Sequence, residues 1–204
     1  MHIFDQANLI AFHRLGAAPA TPAHRLQGWR DLASQQIRFA QLLRLQPTAH
    51  SLVLDVGCGL GDLYHYLQQQ QPAVTGLHYL GIDLQDDFIE RARQIYASQD
   101  TAQFVRADFS QAQLPSADYV YASGVFCYPS REPDYFSAAI AKLYAIARRG
   151  FAFNMLDAQR FHDGEFLVAH SRSKILEYCV SLCGDVELHH DYGLDDFTVI
   201  MRRT

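Results

Sequence analysis

The spacing of apolar residues changes along the chain, and the change divides the sequence into two regions. Residues 1–15 and Trp29–Leu45 carry apolar positions at helical spacing, and a break at Gly16–His24 contains two prolines that interrupt helical hydrogen bonding. No strand pattern lies between these helices. Residues 1–48 therefore predict a helical cap on the domain that follows.

From Ser51 onwards, short apolar runs alternate with amphipathic segments. The apolar runs predict strands at Ser51–Val56, His78–Asp83, Gln103–Arg106, Asp118–Ala122, Gly150–Asn154, Asp185–Tyr192 and Asp196–Arg202. The amphipathic segments predict helices at Asp62–Gln71, Asp86–Ala97, Pro133–Ala147 and Ser173–Leu182. Because strands that alternate with helices form a parallel sheet covered on both faces, residues 49–204 predict an α/β domain with three layers, α/β/α.

The last two predicted strands depart from this alternation. Only Gly193, Leu194 and Asp195 separate them. A parallel connection needs a crossover of about a dozen or more residues, so this pair is expected to be antiparallel. The predicted fold is a doubly wound, mostly parallel sheet whose last strand runs in the opposite direction.

A glycine-rich loop follows the first predicted strand. It reads Asp55-Val-Gly-Cys-Gly-Leu-Gly61, and glycines allow the backbone to approach a ligand closely. The dinucleotide fingerprint G-x-G-x-x-G would need glycine where this chain has Asp62, and the Gly-Lys-Ser/Thr ending of a phosphate-binding loop is absent. The loop is therefore expected to bind a ligand without phosphate at this point, and Asp55 suits a cationic group on that ligand.

Two further carboxylates follow the second and third predicted strands. Asp83 ends Gly81-Ile-Asp83, where it can accept hydrogen bonds from a ribose diol. Asp108 lies in Ala107-Asp-Phe109, where it can accept a hydrogen bond from an exocyclic amine or, alternatively, cap its own loop. The carboxyl ends of parallel strands meet at one edge of an open α/β sheet, and ligands bind at that edge.

Three segments together resemble the first three motifs of the class I S-adenosylmethionine-dependent methyltransferases. They are Val53-Leu-Asp-Val-Gly-Cys-Gly-Leu-Gly61, Gly81-Ile-Asp83 and Ala107-Asp-Phe109, and the resemblance extends over about Ser51 to Arg203. It implies a Rossmann-like fold and S-adenosylmethionine as the cofactor. The N-terminal helices are similar to the lid of small bacterial members of this family.

The resemblance also assigns cofactor-binding roles to named positions. Asp83 would bind the ribose hydroxyls, and Asp108 with the Phe109 backbone would contact adenine. Arg38 of the cap is a candidate partner for the cofactor carboxylate, because a guanidinium group matches a carboxylate. An arginine on the surface, without a contact to the cofactor, is an equally weighted alternative. The methionine end of the cofactor would be held by Asp55, Gly57 and Gly59. Two further positions would also lie beside the cofactor, Leu84 and Ser123.

Substrate contacts are expected from segments around the same sheet edge. The segment Ser123-Gly-Val-Phe-Cys-Tyr128 follows the fourth predicted strand. It lacks the Asn/Asp/Ser-Pro-Pro-aromatic sequence of methyltransferases that act on exocyclic amines of bases or on glutamine. His190 in the last hairpin is a candidate base, and a structural or surface histidine is the more ordinary alternative. The candidate substrate contacts are Phe126, Tyr128, Asn154 and Trp29.

Composition and charge limit the kinds of molecule that the protein is expected to bind and the compartment in which it is expected to lie. Hydrophobic residues make up 49% and charged residues 19% of the 204 residues, and a net charge of -5 argues against nucleic acid as the main partner. No apolar run is long enough to span a bilayer, residues 1–15 do not read as a secretory signal, and four scattered cysteines predict reduced thiols in the cytoplasm. Cys179 and Cys183 share a helix face without a further ligand at suitable spacing, so no metal site is expected.

The sequence therefore predicts a methyltransferase that transfers a methyl group from S-adenosylmethionine to a small-molecule acceptor by in-line displacement. Such a displacement depends on alignment and exclusion of water, and requires neither a metal nor an oxyanion hole. Two alternatives stay open: a cofactor-binding interaction module without catalysis, and a nicotinamide-dependent oxidoreductase, which the missing third glycine disfavours. The expected oligomeric state is a monomer or a homodimer.

Overall fold

Seven strands form one sheet in the computed structural model, which describes residues 1–15, 21–70, 74–164 and 166–203. Their order across the sheet is β3-β2-β1-β4-β5-β7-β6. Neighbouring strands are parallel except for β7, which runs antiparallel to both β5 and β6. The predicted mostly parallel sheet with a reversed last strand is thus confirmed. The strands are β1 (Leu52–Val56), β2 (His78–Asp83), β3 (Ala102–Arg106), β4 (Ala117–Ala122), β5 (Ala147–Leu156), β6 (Asp185–His189) and β7 (Asp196–Arg202).

The helices of these ranges are α1 (Ile3–Leu15), α2 (Ala23–Leu26), α3 (Leu32–Leu42), α4 (Asp62–Gln68), α5 (Asp86–Ile95), α6 (Tyr135–Ile146) and α7 (Arg172–Leu182). α3 begins at a capping box, in which Asp31 accepts a hydrogen bond from the Ser34 backbone N–H at 2.7 Å. α2 begins directly after Pro22, a residue that is tolerated at a helix start. The remainder of the predicted break, residues 16–20, lies outside the described residues, as does Gln71 at the end of the predicted helix Asp62–Gln71.

Helices cover both faces of the sheet, because strand residues alternate between two apolar clusters. On β1, Leu54 and Val56 belong to the cluster that α6 and α7 complete, whereas Val53 belongs to the cluster that α3, α4 and α5 complete. On β4, Val120 belongs to the first of these clusters and Tyr119 belongs to the second. This alternation on strands buried on both faces produces the three layers that the sequence predicts.

The end of β6 differs from the prediction. The predicted strand Asp185–Tyr192 stops at His189. Beyond it the backbone takes left-handed conformations at Asp191 (φ 63°) and Gly193 (φ 82°). A strand residue cannot take this conformation without leaving the ladder, so the chain turns here and enters β7.

The N-terminal helices have two structural roles. α3 belongs to one helical layer of the sheet, because Phe39 and Leu42 are buried in the cluster on that face. α1 and α2 lie instead at the carboxyl edge of the strands, where His13 of α1 contacts the loop after β4 and Gln27, directly after α2, contacts the loop after β1. The domain boundary after residue 48 stays a prediction. Across the described ranges, every helix is too short or too polar to cross a membrane.

Candidate functional site

A cavity of about 300 Å³ lies at the carboxyl ends of β1, β2, β4 and β5, and residues of α1, α3 and the segment between α2 and α3 also line it. This volume is at the lower end of the range for small-molecule sites, roughly 300–1,000 Å³. Most positions that the sequence singled out meet here, and the ligand that each contacts stays a prediction. They are Trp29, Arg38, Asp55, Gly57, Gly59, Asp83, Leu84, Asp108, Phe109, Ser123, Tyr128 and Asn154.

The glycine loop after β1 is fixed to the end of β2. The Gly57 N–H donates to the Ile82 carbonyl at 2.8 Å, and the Gly59 N–H donates to Oδ2 of Asp83 at 2.9 Å. Gly57 and Gly59 have φ values of 72° and 54°, in the left-handed region that favours glycine. A Cβ atom on Gly57 would lie 2.6 Å from Cγ2 of Val125, so a larger residue would close the space between the loops after β1 and β4.

Asp83 lies at the rim of the cavity with both carboxylate oxygens oriented by backbone N–H groups. Oδ2 accepts from Gly59, and Oδ1 accepts from the Gln85 N–H at 2.9 Å. Burial raises the pKa of Asp83, and these two hydrogen bonds oppose that rise. Each oxygen retains a further lone pair, so the carboxylate can still accept two hydrogen bonds from a ligand.

Asp55 is the most deeply buried carboxylate of the cavity wall near the glycine loop. Its side chain accepts a hydrogen bond from the Tyr79 hydroxyl, and the residue is 2% exposed. Burial raises the pKa of Asp55 to about 7, and the hydrogen bond from Tyr79 opposes part of this rise. A cation bound in the cavity would therefore favour the ionised form of Asp55.

Asp108 is engaged by the protein itself. Oδ1 accepts hydrogen bonds from the Ser110 N–H at 2.9 Å and the Ser110 hydroxyl at 2.7 Å, and Oδ2 accepts from Nε2 of Gln6 at 2.8 Å. These contacts show the loop-capping alternative for Asp108. The adenine contact stays a prediction, and the neighbouring Phe109 lines the cavity.

The N-terminal helices are tied directly to the glycine loop. Nε2 of Gln27 and Nε2 of Gln35 donate to Oδ2 of Asp62 at 2.7 Å and 2.8 Å. Oε1 of Gln27 also accepts from the Leu60 N–H at 3.1 Å. Asp62, the residue that breaks the dinucleotide fingerprint, thus anchors the cap. Sequence reasoning considers Gln35 only as a candidate that closes over the cofactor and does not pair either glutamine with Asp62, because no local pattern links the cap to the distant loop.

Arg38 is held by a carboxylate of the protein. Its Nε atom donates to Oδ2 of Asp196 at 2.6 Å, and its guanidinium carbon lies 5.2 Å from the centre of the Trp29 ring. The second oxygen of Asp196, Oδ1, and Oε1 of Gln35 are buried and have no hydrogen-bond partner within the described ranges. Two buried acceptor oxygens of residues that line the cavity thus lack a hydrogen-bond donor among the described residues. The predicted contact of Arg38 with a cofactor carboxylate stays a prediction.

Asn154 connects β5 to the loop that follows β4. Its Oδ1 atom accepts from the Gly124 N–H at 2.9 Å, and its Nδ2 atom donates to the Ser123 hydroxyl at 3.3 Å. Asn154 is 2% exposed, so its amide group has little contact with solvent. These bonds fix the backbone at the place where the cavity passes from the strand ends towards Tyr128.

Two sequence-based expectations are corrected by the structure. Phe126 is fully buried, because a short 3-10 turn at Val125–Cys127 turns its ring into the core, 5.4 Å from the ring centre of Phe153. It therefore does not reach the cavity as a substrate contact. His190 follows the edge strand β6, is exposed and pairs with Asp191, so it lies outside the cavity and is not placed to act as a base there.

A different histidine reaches the cavity. Nε2 of His13, on α1, lies 3.0 Å from the Tyr128 hydroxyl, and Nδ1 of His13 lies 3.0 Å from the Leu26 carbonyl. Sequence reasoning missed His13, because the helical pattern of α1 carries no sign of a partner so distant along the chain. Within the described ranges, no group of three or more His, Cys, Asp or Glu residues is arranged to hold a metal ion.

Comparisons with known proteins agree with this arrangement. Residues 54–150 match a family model described as a methyltransferase domain. The chain is 30% identical over 159 residues to Rv1506c of Mycobacterium tuberculosis, a protein named as a methyltransferase, and the match covers 73% of this chain and 91% of that protein.

Solved structures share the fold. Magnesium protoporphyrin IX methyltransferase from Synechocystis PCC 6803, with bound SAH, has a TM-score of 0.64 at 16% identity, over 98% of this chain and 96% of that chain. A SAM-dependent methyltransferase from Aquifex aeolicus has a TM-score of 0.60 at 17% identity, over 84% of this chain and 93% of that chain. The strand order, the family match and the relative of 30% identity together show that the chain belongs to the class I S-adenosylmethionine-dependent methyltransferases.

Proposed function

We propose that the protein transfers the methyl group of S-adenosylmethionine to a small-molecule acceptor by in-line displacement. The observation that carries this proposal is a single cavity with two kinds of wall. The strand-end wall includes Asp55 and Asp83, and the cap wall includes Trp29 and Phe12. Cofactor and acceptor would share this space, closed over by the N-terminal helices.

The residues present fit the cofactor. Gln35 Oε1 and Asp196 Oδ1 are buried acceptors that ligand N–H or O–H groups would satisfy. Asp83 keeps lone pairs for a ribose diol, and Asp55 favours a cationic group because ionisation of its buried carboxyl is then compensated. When bound, the cofactor supplies a methyl group activated by a positively charged sulfur.

The chain's own contribution is alignment and the exclusion of water. Gln27 and Gln35 hold the cap against Asp62, which closes the cavity on the side of α3 and α4. Asn154 holds the loop after β4 in a fixed position beside the glycine loop. Holding two reactants in line is worth roughly 7–11 kcal/mol in favourable cases, so these contacts can supply most of the catalysis.

The charge of the lining supports a small, non-phosphorylated acceptor. The carboxylates of the lining outnumber its arginines, Arg30 and Arg38, so a strand of nucleic-acid phosphates would be repelled. A cavity of about 300 Å³ beneath the cap also favours a small acceptor over a macromolecule. The lining carboxylates are Asp55, Asp62, Asp83, Asp108, Asp195 and Asp196.

Family membership removes the nicotinamide-dependent oxidoreductase from consideration. An inactive cofactor-binding module is retained as an outcome of the experiment below. The cytoplasmic location and the monomeric or homodimeric state remain predictions.

Calorimetric titration with S-adenosylmethionine, S-adenosylhomocysteine and NAD tests the cofactor site. We expect the first two ligands to bind and NAD not to bind. Asp83→Ala should weaken binding of S-adenosylmethionine at least tenfold, because charge-assisted hydrogen bonds are lost. Asp86→Ala is the matched control, since Asp86 is exposed in its ion pair with Arg106 and lies outside the cavity lining. Equal affinity of both variants would reject the ribose role of Asp83.

The acceptor class is tested with cell extract and a labelled methyl donor. We expect label in the low-mass fraction, and no label above background in RNA, DNA or protein. Label in a macromolecular fraction would contradict the small-molecule proposal. Cofactor binding without label in any fraction would identify an inactive binding module.

A further inference from the structure

Tyr128 and His13 form a hydrogen-bonded pair in the wall of the cavity, and the proposed function uses neither of them as a proton carrier. The Tyr128 oxygen lies 3.0 Å from Nε2 of His13, and Nδ1 of His13 lies 3.0 Å from the Leu26 carbonyl oxygen. Both side chains line the cavity that holds the glycine loop and Asp83. The pair joins α1 to the segment after β4, so it bridges the cap and the sheet.

The direction of the two hydrogen bonds follows from their partners. A backbone carbonyl oxygen only accepts, so Nδ1 of His13 carries a hydrogen and donates to Leu26. In a neutral imidazole the other nitrogen, Nε2, is then an acceptor. Tyr128 therefore donates its single hydroxyl hydrogen to His13. Its oxygen retains lone pairs that can accept a hydrogen from a molecule in the cavity.

The environment keeps the histidine unprotonated and the tyrosine protonated at neutral pH. Burial lowers the pKa of His13, against the opposing effects of the hydrogen bond to Leu26 and of the Asp83 carboxylate. Burial raises the pKa of Tyr128 well above its ordinary value, and the neighbouring Cys127 and Asp83 act in the same direction. Asp83 and Cys127 are thus the titratable groups that act on the pair. In this state the pair is ready to accept a proton.

We propose that Tyr128 and His13 form a proton relay, and that the methyl acceptor is a phenol or another aromatic hydroxyl compound. This inference rests on the proposed function and specifies its substrate class. A hydroxyl nucleophile must lose its proton as it reacts, whereas a neutral amine has a free lone pair and needs no base at that stage. A relay that ends on a neutral imidazole is therefore suited to an O–H acceptor.

The walls around the pair are aromatic. The Phe12 ring lies 5.9 Å from the Tyr128 ring, and the Phe88 ring lies 5.6 Å from the His13 ring, each centre to centre and edge-on. Both phenylalanines also line the cavity. Aromatic rings attract one another through edge-to-face and offset-stacked contacts, so a cavity lined by these rings favours a planar aromatic acceptor.

The step balances as follows. The acceptor oxygen forms a bond to the methyl carbon while the carbon–sulfur bond breaks and its electron pair stays on sulfur. The acceptor proton passes to the Tyr128 oxygen, and the Tyr128 proton passes to Nε2 of His13. The positive charge lost at sulfur thus reappears on the imidazolium of His13. Tyr128 touches the acceptor and is the catalytic residue, whereas His13 acts through it.

The test uses para-nitrophenol, whose phenolate is coloured, with the protein saturated by S-adenosylhomocysteine. We expect wild-type protein to bind the phenol and to ionise it at a pH about one unit below that of the free phenol, a tenfold change in the equilibrium. Tyr128→Phe should retain binding within about threefold and lose the shift in ionisation. His13→Gln should also lose the shift, and His65→Gln, at an exposed histidine outside the cavity lining, should keep it.

Three results would overturn the relay: no binding of para-nitrophenol by the wild type, no shift in its ionisation, or an unchanged shift in either Tyr128→Phe or His13→Gln. Affinity for S-adenosylhomocysteine is measured for every variant, which verifies the fold. Failure of the wild type to bind that ligand would instead count against the proposed function. Nitrogen NMR of the wild type supplies a second readout, in which His13 should be neutral with its hydrogen on Nδ1, and a hydrogen on Nε2 would exclude the relay.

Discussion

The Nε atom of Arg38 lies 2.6 Å from Oδ2 of Asp196, in an ion pair that joins α3 to the first residue of β7. The two side chains are only 14% and 2% exposed. Because water is largely excluded, the carboxylate depends on this one guanidinium for compensation of its charge. The pair therefore fixes the helix against the only strand that runs opposite to the other strands of the described sheet.

Arg38→Met is expected to lower the free energy of unfolding by about 3–5 kcal/mol, because it leaves the buried carboxylate of Asp196 unpaired. Urea unfolding measures the change. Arg30→Met is the control, since Arg30 pairs with Asp31 where the side chains are 66% and 47% exposed, and its effect should stay within about 0.5 kcal/mol. Equal losses of stability in Arg38→Met and Arg30→Met would contradict the conclusion that the buried carboxylate of Asp196 depends on Arg38.

Asp55 should make stability depend on pH in an unusual direction for a carboxyl group. Its pKa is raised by burial to about 7, from a value near 3.8 for the free group, so the folded state holds the proton more tightly than the unfolded state. The resulting stabilisation is complete below about pH 4 and is lost as the pH rises through 7, with a total of about 4 kcal/mol at 1.4 kcal/mol per unit.

The measurement is urea unfolding of the wild type and Asp55→Asn at pH 5 and pH 8. The asparagine can still accept from Tyr79, so it keeps the hydrogen bond without the titration. We expect the wild type to lose more stability than the variant between the two pH values. A parallel change in both proteins would show that Asp55 titrates normally.

Asp108→Asn should separate loop capping from adenine recognition. Unlike Asp83, Asp108 accepts two hydrogen bonds on Oδ1, both from Ser110, and its Oδ2 atom is contacted by Gln6 and by the Met1 ammonium at 3.5 Å. The loss of one side-chain acceptor is therefore expected to lower stability by about 1 kcal/mol. Affinity for S-adenosylmethionine should stay within about threefold of wild type. A tenfold or larger loss of affinity, with stability unchanged, would instead support the adenine contact.

Phe126→Ala should act on the core and leave ligand binding intact. The ring is fully buried against Phe153 and Phe109, and truncation of a buried phenylalanine costs about 3–5 kcal/mol. Phe4→Ala is the control, because Phe4 is 58% exposed, and it should change stability by less than about 0.5 kcal/mol. Urea unfolding compares the two, and S-adenosylhomocysteine affinity of the folded Phe126→Ala protein should match wild type.

The regions that sequence predicts well are those in which one local pattern decides the structure. β2 and β7 have the predicted bounds, His78–Asp83 and Asp196–Arg202, because apolar runs with a polar residue at the end leave little choice of register. The same patterns bring Asp55 and Asp83 to one edge of the sheet, since parallel strands end together.

The remaining site residues depend on contacts between distant segments. His13 and Tyr128 are 115 residues apart, and no periodicity in either segment specifies that α1 comes to lie on the loop after β4. For Phe126, in contrast, the sequence predicts a cavity contact that the structure does not have. Its position after β4 predicts a side chain in the cavity, but a single tight turn directs its ring into the core. Rotation about a turn is set by packing with Phe153 and cannot be deduced from spacing.

Trp29 is the single tryptophan of the 204 residues, and its indole lines the cavity beside Gly124 and Arg38. A Cβ atom on Gly124 would lie 2.7 Å from the indole, so ring and loop are in close contact. The tryptophan fluorescence of this chain, excited apart from that of its tyrosines, thus originates in the wall of the cavity. Its emission should change when the cavity fills, so stopped-flow recording can follow the binding of a ligand without an attached dye.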